Sequence, residues 1–128
     1  MDKKIFQTAA LLGMIAIILG AFGAHALKAL LSQEQLATFE TGVRYQMYHA
    51  LFLLLIGNIT TISEKTKKQI YTLALTGVIL FSGSIYLLAT NSLTPIDFKI
   101  IGFVTPIGGL LLILSWTRFF THFFNKKS

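Results

Sequence analysis

The sequence predicts an all-α fold, a bundle of four transmembrane helices in a single integral membrane domain over 1–128, and three observations predict it. Charged residues make up 12% of the chain and hydrophobic residues 54%, with a mean hydropathy of +0.70, whereas a soluble domain carries about 25% charged residues. Four apolar runs, 5–27, 43–62, 70–90 and 96–120, each reach the roughly 20 residues that a helix needs to cross about 30 Å of hydrocarbon. Lysine and arginine gather at the ends of these runs, mostly on one side. Helices follow rather than strands because lipid offers no hydrogen-bond partner to an open strand edge, and the chain lacks the alternation of a barrel strand.

The first run begins after Lys3 and Lys4 and ends in Ala24-His25-Ala26, the outline of a secretory signal with its cleavage site. A signal has an apolar core of about 7–15 residues, and this one continues from Ile5 nearly to Leu27, so a retained helix is expected. Gly13, Ala16, Gly20 and Ala24 recur along it at helical spacing, a surface for close helix approach. Before the second run, Ser32 and Gln35 make a capping box and Leu31 with Leu36 a hydrophobic staple, so the helix should start near Gln33, outside the bilayer, with Glu34 and Glu40 towards water. Segment 63–68 reads as a short charged turn. In the third run Ser82-Gly83-Ser84 interrupts the bulk, and the serines read as packing residues. Thr94-Pro95 followed by Asp97 supplies a threonine cap, a proline at the first helical position and an acid near the positive dipole end, which should start helix four. Pro106, in "TPIGGL", has no backbone N–H and should kink helix four, leaving the Gly102 carbonyl free.

Orientation follows from the basic residues, which are retained preferentially in the cytoplasm. Lys3, Lys4, Lys65, Lys67, Lys68, Arg118, Lys126 and Lys127, eight of the 11, fall on one side, and Lys28, Arg44 and Lys99 on the other. Both termini are therefore expected in the cytoplasm of a bacterial cell, with the protein multi-pass in its membrane.

Composition also excludes chemistries. A charge of +6 could suit nucleic acid, but the basic residues cap apolar runs and form no basic face, so no nucleic-acid partner is expected. Zero cysteines remove thiol nucleophiles, disulfides and thiolate metal sites. Two histidines in the apolar segments, without a carboxylate at their depth, are too few for a closed metal site. Neither Ser82 nor Ser84 has a base at a telling spacing. No enzyme activity, metal or cofactor is expected.

The polar residues within the apolar runs are the candidate site. With helix one running outward and helix two inward, His25 lies near the outer end of the first, and Arg44, Tyr45, Tyr48 and His49 lie in the outer turns of the second. His49 is about 7.5 Å deeper than Arg44 along the axis. One reading pairs Arg44 with Glu40 and lets His49 lock helix two against helix one; the other gathers His25, Arg44, Tyr45, Tyr48 and His49 into an outward-facing pocket for an anionic headgroup or small solute. Trp116, Phe119, Phe120, Phe123 and Phe124, beside basic residues, read as a headgroup-level aromatic belt, and His122 as exposed.

The motifs "GAFGAHAL", "FETGVRYQMYHAL", "LFSGSIYLLA" and "TPIGGLLLILSW", in this order and covering nearly the whole length, resemble the small four-helix membrane proteins of domain-of-unknown-function family four-twenty-three, which has similar small mitochondrial membrane proteins in eukaryotes. The resemblance implies a four-span protein of the bacterial cytoplasmic membrane and, because the family has no established activity, no catalytic role for any residue. The expected function is a non-enzymatic structural or lipid- or partner-binding bundle with a polar cluster in its outer half, its partners being membrane lipids, a second copy of the chain or another membrane protein. The alternative is a carrier or channel component for a small solute.

Overall fold

In the computed structural model, which describes residues 2–124, the chain forms four long helices: α1 (Asp2–His25), α2 (Gln33–Asn58), α3 (Glu64–Ala89) and α4 (Val104–His122), with 3₁₀ turns at Leu27–Ala29, Asn91–Leu93 and Lys99–Phe103. Lys126 and Lys127, counted above for orientation, lie outside the described residues. Each helix packs on the next in sequence, so α2 and α3 are central and α1 and α4 flank them. The start of α1, the α2–α3 turn and the end of α4 share one end of the bundle.

Local chemistry sets the helix starts. The Ser32 hydroxyl accepts from the Gln35 N–H at 3.1 Å and the Gln35 side chain accepts from the Ser32 N–H at 3.0 Å, the reciprocal capping box expected. Segment 63–68 is not a turn. Ser63 caps α3, its hydroxyl accepting from the Thr66 N–H at 3.2 Å, and Glu64 stands in the first turn at the positive end of the dipole.

Helix four does not start at Thr94-Pro95. Asn91 folds this connection instead: its amide donates to the Ile96 carbonyl at 2.5 Å and its carbonyl oxygen accepts from the Phe98 N–H at 3.0 Å. Thr94 turns its hydroxyl onto the Asn91 and Ile96 carbonyls, so it closes a turn rather than capping a helix. A 3₁₀ segment follows over Lys99–Phe103, and α4 begins at Val104. Pro106 therefore stands in the first turn of α4, where an N–H has no intrahelical partner to lose.

Two apolar clusters fill the interior. Ile5, Ala9, Leu53, Ile56, Ile70 and Ala74 lie at the end where α1 begins and α4 finishes, and Leu27, Leu31, Phe39 and Ala89 at the other. The small stripe of α1 is used within the chain: Ala16 is buried, and a Cβ on Gly20 would stand 3.6 Å from Val43 of α2. The closest approach joins α3 and α4, where a Cβ on Gly108 would overlap the Phe81 backbone and one on Gly77 would come within 2.7 Å of Leu112. Outside, large apolar side chains face away from the protein on every helix, among them Ile17 (66% exposed), Leu51 (56%), Ile79 (59%) and Ile113 (62%), a surface suited to lipid and unlike that of a soluble monomer.

Candidate functional site

Between the two apolar clusters lies a layer of polar side chains, and α2 supplies its centre. Gly42, Gln46, His49, Leu53 and Ile56 recur every three or four residues and are buried, whereas Arg44, Tyr48, Leu51 and Leu55 fall on the opposite face and are exposed. The helix is thus amphipathic in the sense opposite to a soluble one: glutamine and histidine point inward, and leucines of its second half point out.

Each inward polar group has a partner on another element. The Gln46 amide donates to the Leu12 carbonyl of α1 at 2.8 Å, and its carbonyl oxygen accepts from the Tyr86 hydroxyl of α3 at 2.6 Å. One turn away, the Ser82 hydroxyl donates to the Gly42 carbonyl at 2.7 Å. His49 faces α4. Its Nδ1 is 2.7 Å from the Tyr45 carbonyl and its Nε2 is 3.0 Å from the indole Nε1 of Trp116. A carbonyl only accepts and an indole N–H only donates, so the ring is the neutral tautomer with its proton on Nδ1 and its lone pair on Nε2. Trp116 is further fixed by stacking on Phe52, with centroids 4.0 Å apart and planes inclined by 28°. Among the described residues, no buried side-chain nitrogen or oxygen lacks a hydrogen-bond partner.

The pocket expected among His25, Arg44, Tyr45, Tyr48 and His49 is only partly assembled. His49 and Tyr45 line a groove of about 490 Å³ together with Phe81, Leu112, Trp116 and Thr117. Tyr48 meets Tyr45 ring to ring at 5.3 Å but does not line the groove. Arg44 is exposed and donates to the Thr41 hydroxyl at 3.1 Å, and among the described residues no ion pair joins it to Glu40. His25 is exposed at the last turn of α1, and no hydrogen bond joins it to Arg44 or His49. Gly102 belongs to the 3₁₀ segment with open space around it.

Several polar contacts fall outside that expectation. Trp116, 46% exposed, has an inward role as well, tied to His49 and Phe52, and Phe119 packs edge-on against Phe52 at 5.7 Å. Of the expected belt, Trp116, Phe120, Phe123 and Phe124 are exposed. His122 is buried against Phe123, not exposed. His49 locks α2 to α4, not to α1; Gln46 makes the link to α1. The end where α1 begins is polar as well: buried Lys67 donates to Asp2 at 2.9 Å and to the Gly57 carbonyl at 3.3 Å, joining α1, α2 and α3 through one ammonium. Periodicity could have found Gln46, which lies four residues from Gly42 and three from His49. No sequence signal pairs Trp116 with His49, 67 residues away.

The Trp116–His49 bond can be read directly, because Trp116 is the chain's only tryptophan. Replacing His49 by leucine removes the acceptor of the indole N–H, and the emission maximum of the protein in detergent is expected to move to the blue. Unchanged emission would show that no such bond exists.

Comparisons with known proteins give the family. The family model described as "Protein of unknown function (DUF423)" matches residues 19–109. The chain belongs to this family. Among its DUF423 relatives, the UPF0382 membrane protein SH2409 of Staphylococcus haemolyticus is 45% identical over 114 residues, covering 89% of each chain. The UPF0382 membrane protein YwdK of Bacillus subtilis is 37% identical over 124 residues, covering 89% of this chain and 90% of its own. A UPF0382 membrane protein of Haemophilus influenzae is 34% identical over all 128 residues and covers 99% of its own length. No solved structure matches. These DUF423 relatives are named as membrane proteins without an activity, and the chain is a helical membrane protein: α1, α3 and α4, with adjoining 3₁₀ residues, are each long and apolar enough to cross a bilayer.

Proposed function

We propose that the protein is a non-enzymatic, multi-pass component of the bacterial cell membrane whose internal polar residues hold the bundle together and whose apolar outer surface meets lipid or a partner protein. The pairing along the inward face of α2 carries this reading. A general base or a transport site needs a polar group free to meet a substrate, and both ring nitrogens of His49 are engaged by the protein itself. His25 and Arg44, which a carrier for a small anion would need beside His49, give that alternative no support from their positions.

In this reading 1–128 is one membrane domain, all four helices span the bilayer, and both termini are cytoplasmic. Helix α2 falls short of the other three in hydropathy because its polar residues point inward, where partners offset the cost of burial. Tyr48, Leu51 and Leu55 are its lipid face. The chain bends at the 3₁₀-to-α junction between Gly102 and Pro106.

Two measurements test this. The absence of cysteine makes single-cysteine labelling clean: Gln33→Cys should react with a membrane-impermeant maleimide only from outside the cell and Lys65→Cys only from inside, whereas labelling of both from one side would mean that α2 does not cross. Proteoliposomes carrying the protein should hold a proton gradient as long as protein-free vesicles. A leak that His49→Leu abolishes would overturn the structural reading.

A further inference from the structure

Beside the seam of α3 and α4, at the end where α3 begins and α4 finishes, lies a cavity of about 550 Å³ lined by Lys65, Lys68, Gln69, Thr72, Leu73 and Arg118. On α3 these residues sit at i, i+3, i+4, i+7 and i+8, so one face descends from two lysines through an amide and a hydroxyl to a leucine. No carboxylate lines the cavity. Arg118 closes it from α4 and is held in place: its Nε donates to Gln69 at 2.8 Å, one terminal nitrogen to Thr66 at 3.1 Å and the other to Thr121 at 3.4 Å. A guanidinium has five N–H groups. Each terminal nitrogen of Arg118 thus keeps an N–H beyond these bonds, on a side chain already ordered, and Lys65 and Lys68 are exposed at the rim.

We propose that this cavity binds the phosphate of an anionic phospholipid of the cytoplasmic leaflet. The gradient from cations to Leu73 along one face matches a headgroup above and acyl chain below, and basic pockets between helices at this depth suit phosphodiester oxygens. A soluble phosphate shares the headgroup chemistry but has nothing to place against the apolar lower part. The proposal rests on the topology given above, and its test separates the two.

Purified protein in nonionic detergent, mixed with phosphatidylglycerol or phosphatidylcholine and examined by native mass spectrometry, should retain phosphatidylglycerol preferentially. Lys65→Gln combined with Lys68→Gln, at two exposed positions, should weaken that retention by about fivefold for each basic side chain removed, and Arg118→Gln should weaken it further. Lys4→Gln, an exposed control at the same end, should change nothing. Equal retention of both lipids, equal loss in Lys4→Gln and the double variant, or full displacement by glycerol phosphate would overturn the assignment. Labelling of Lys65→Cys from outside the cell would instead place the cavity in the other leaflet and sink the topology, while the lipid preference read by mass spectrometry stands apart.

Discussion

Gly108→Val is expected to lower the melting temperature of the protein in detergent by roughly 10 °C, a loss of about 3 kcal/mol at the upper end of the cost of overpacking. The size of the effect follows from what the new Cβ would meet. At most positions an added methyl group pushes on the tip of a side chain that can turn away, but at Gly108 it overlaps the Phe81 backbone, and backbone inside a helix cannot yield without moving the helix. Helix α4 would have to lift from α3, and the Ser115 hydroxyl bond to the Ile70 carbonyl, 2.9 Å long, and the Ser84–Thr105 hydroxyl pair at 2.6 Å span the same seam. Gly109→Val is the control. A Cβ there stands 3.5 Å from the Phe81 ring, ordinary contact with a side chain, so its loss should be much smaller. Equal melting temperatures for the two variants would show that the α3–α4 approach is not as close as described.

Gln46→Leu is the second large effect. It keeps the volume and adds apolar surface, which in a lipid-facing position would be harmless, yet it takes the acceptor from a Tyr86 hydroxyl inside the bundle and the amide donor from the Leu12 carbonyl. Losing these bonds costs about 0.5–1.5 kcal/mol each, in line with bonds between membrane helices, so a loss of about 2 kcal/mol is expected. Tyr86→Phe tells the pairing apart from simple misfit. On its own it should destabilise the protein, but in the Gln46→Leu background, where the hydroxyl has lost its Gln46 acceptor, it should cost much less or restore stability, a coupling of about 1 kcal/mol between the two sites. Additive losses in chemical or thermal melts would contradict the bond.

Hydropathy and spacing showed a great deal of this architecture in advance, and the limits are physical. The number and order of the helices follow from run length, and the start of α2 from Ser32 and Gln35, because both depend on neighbours in the chain. The start of α4 was misplaced because Thr94-Pro95-Ile96-Asp97 carries every local cue of a helix start, while the Asn91 side chain captures the same backbone in a turn. For the site, depth placed His25 and Arg44 near His49 but could not say which way each faced. That is decided by packing on α1, α3 and α4. Helix α2 presents Gln46 and His49 on the stripe that Gly42 and Leu53 occupy and leaves Arg44 on the other, so one helix divides residues that depth had grouped. The role of Trp116 was hidden for the same reason: tryptophan near basic residues usually marks the membrane interface, and only the packing of α4 on α3 and of α3 on α2 brings its indole to the histidine.

The central claim is that α2 carries its polar side chains into the bundle as satisfied structural links. Nitrogen-15 NMR of histidine-labelled protein in lipid nanodiscs at neutral pH tests it most directly, since the chain has only three histidines and loss of one signal in His49→Leu assigns the ring. The account predicts a neutral His49 ring protonated at Nδ1, with an unprotonated Nε2 close to the Trp116 indole proton. A ring protonated at Nε2, or one whose N–H exchanges freely with water and shows no proximity to Trp116, would contradict it.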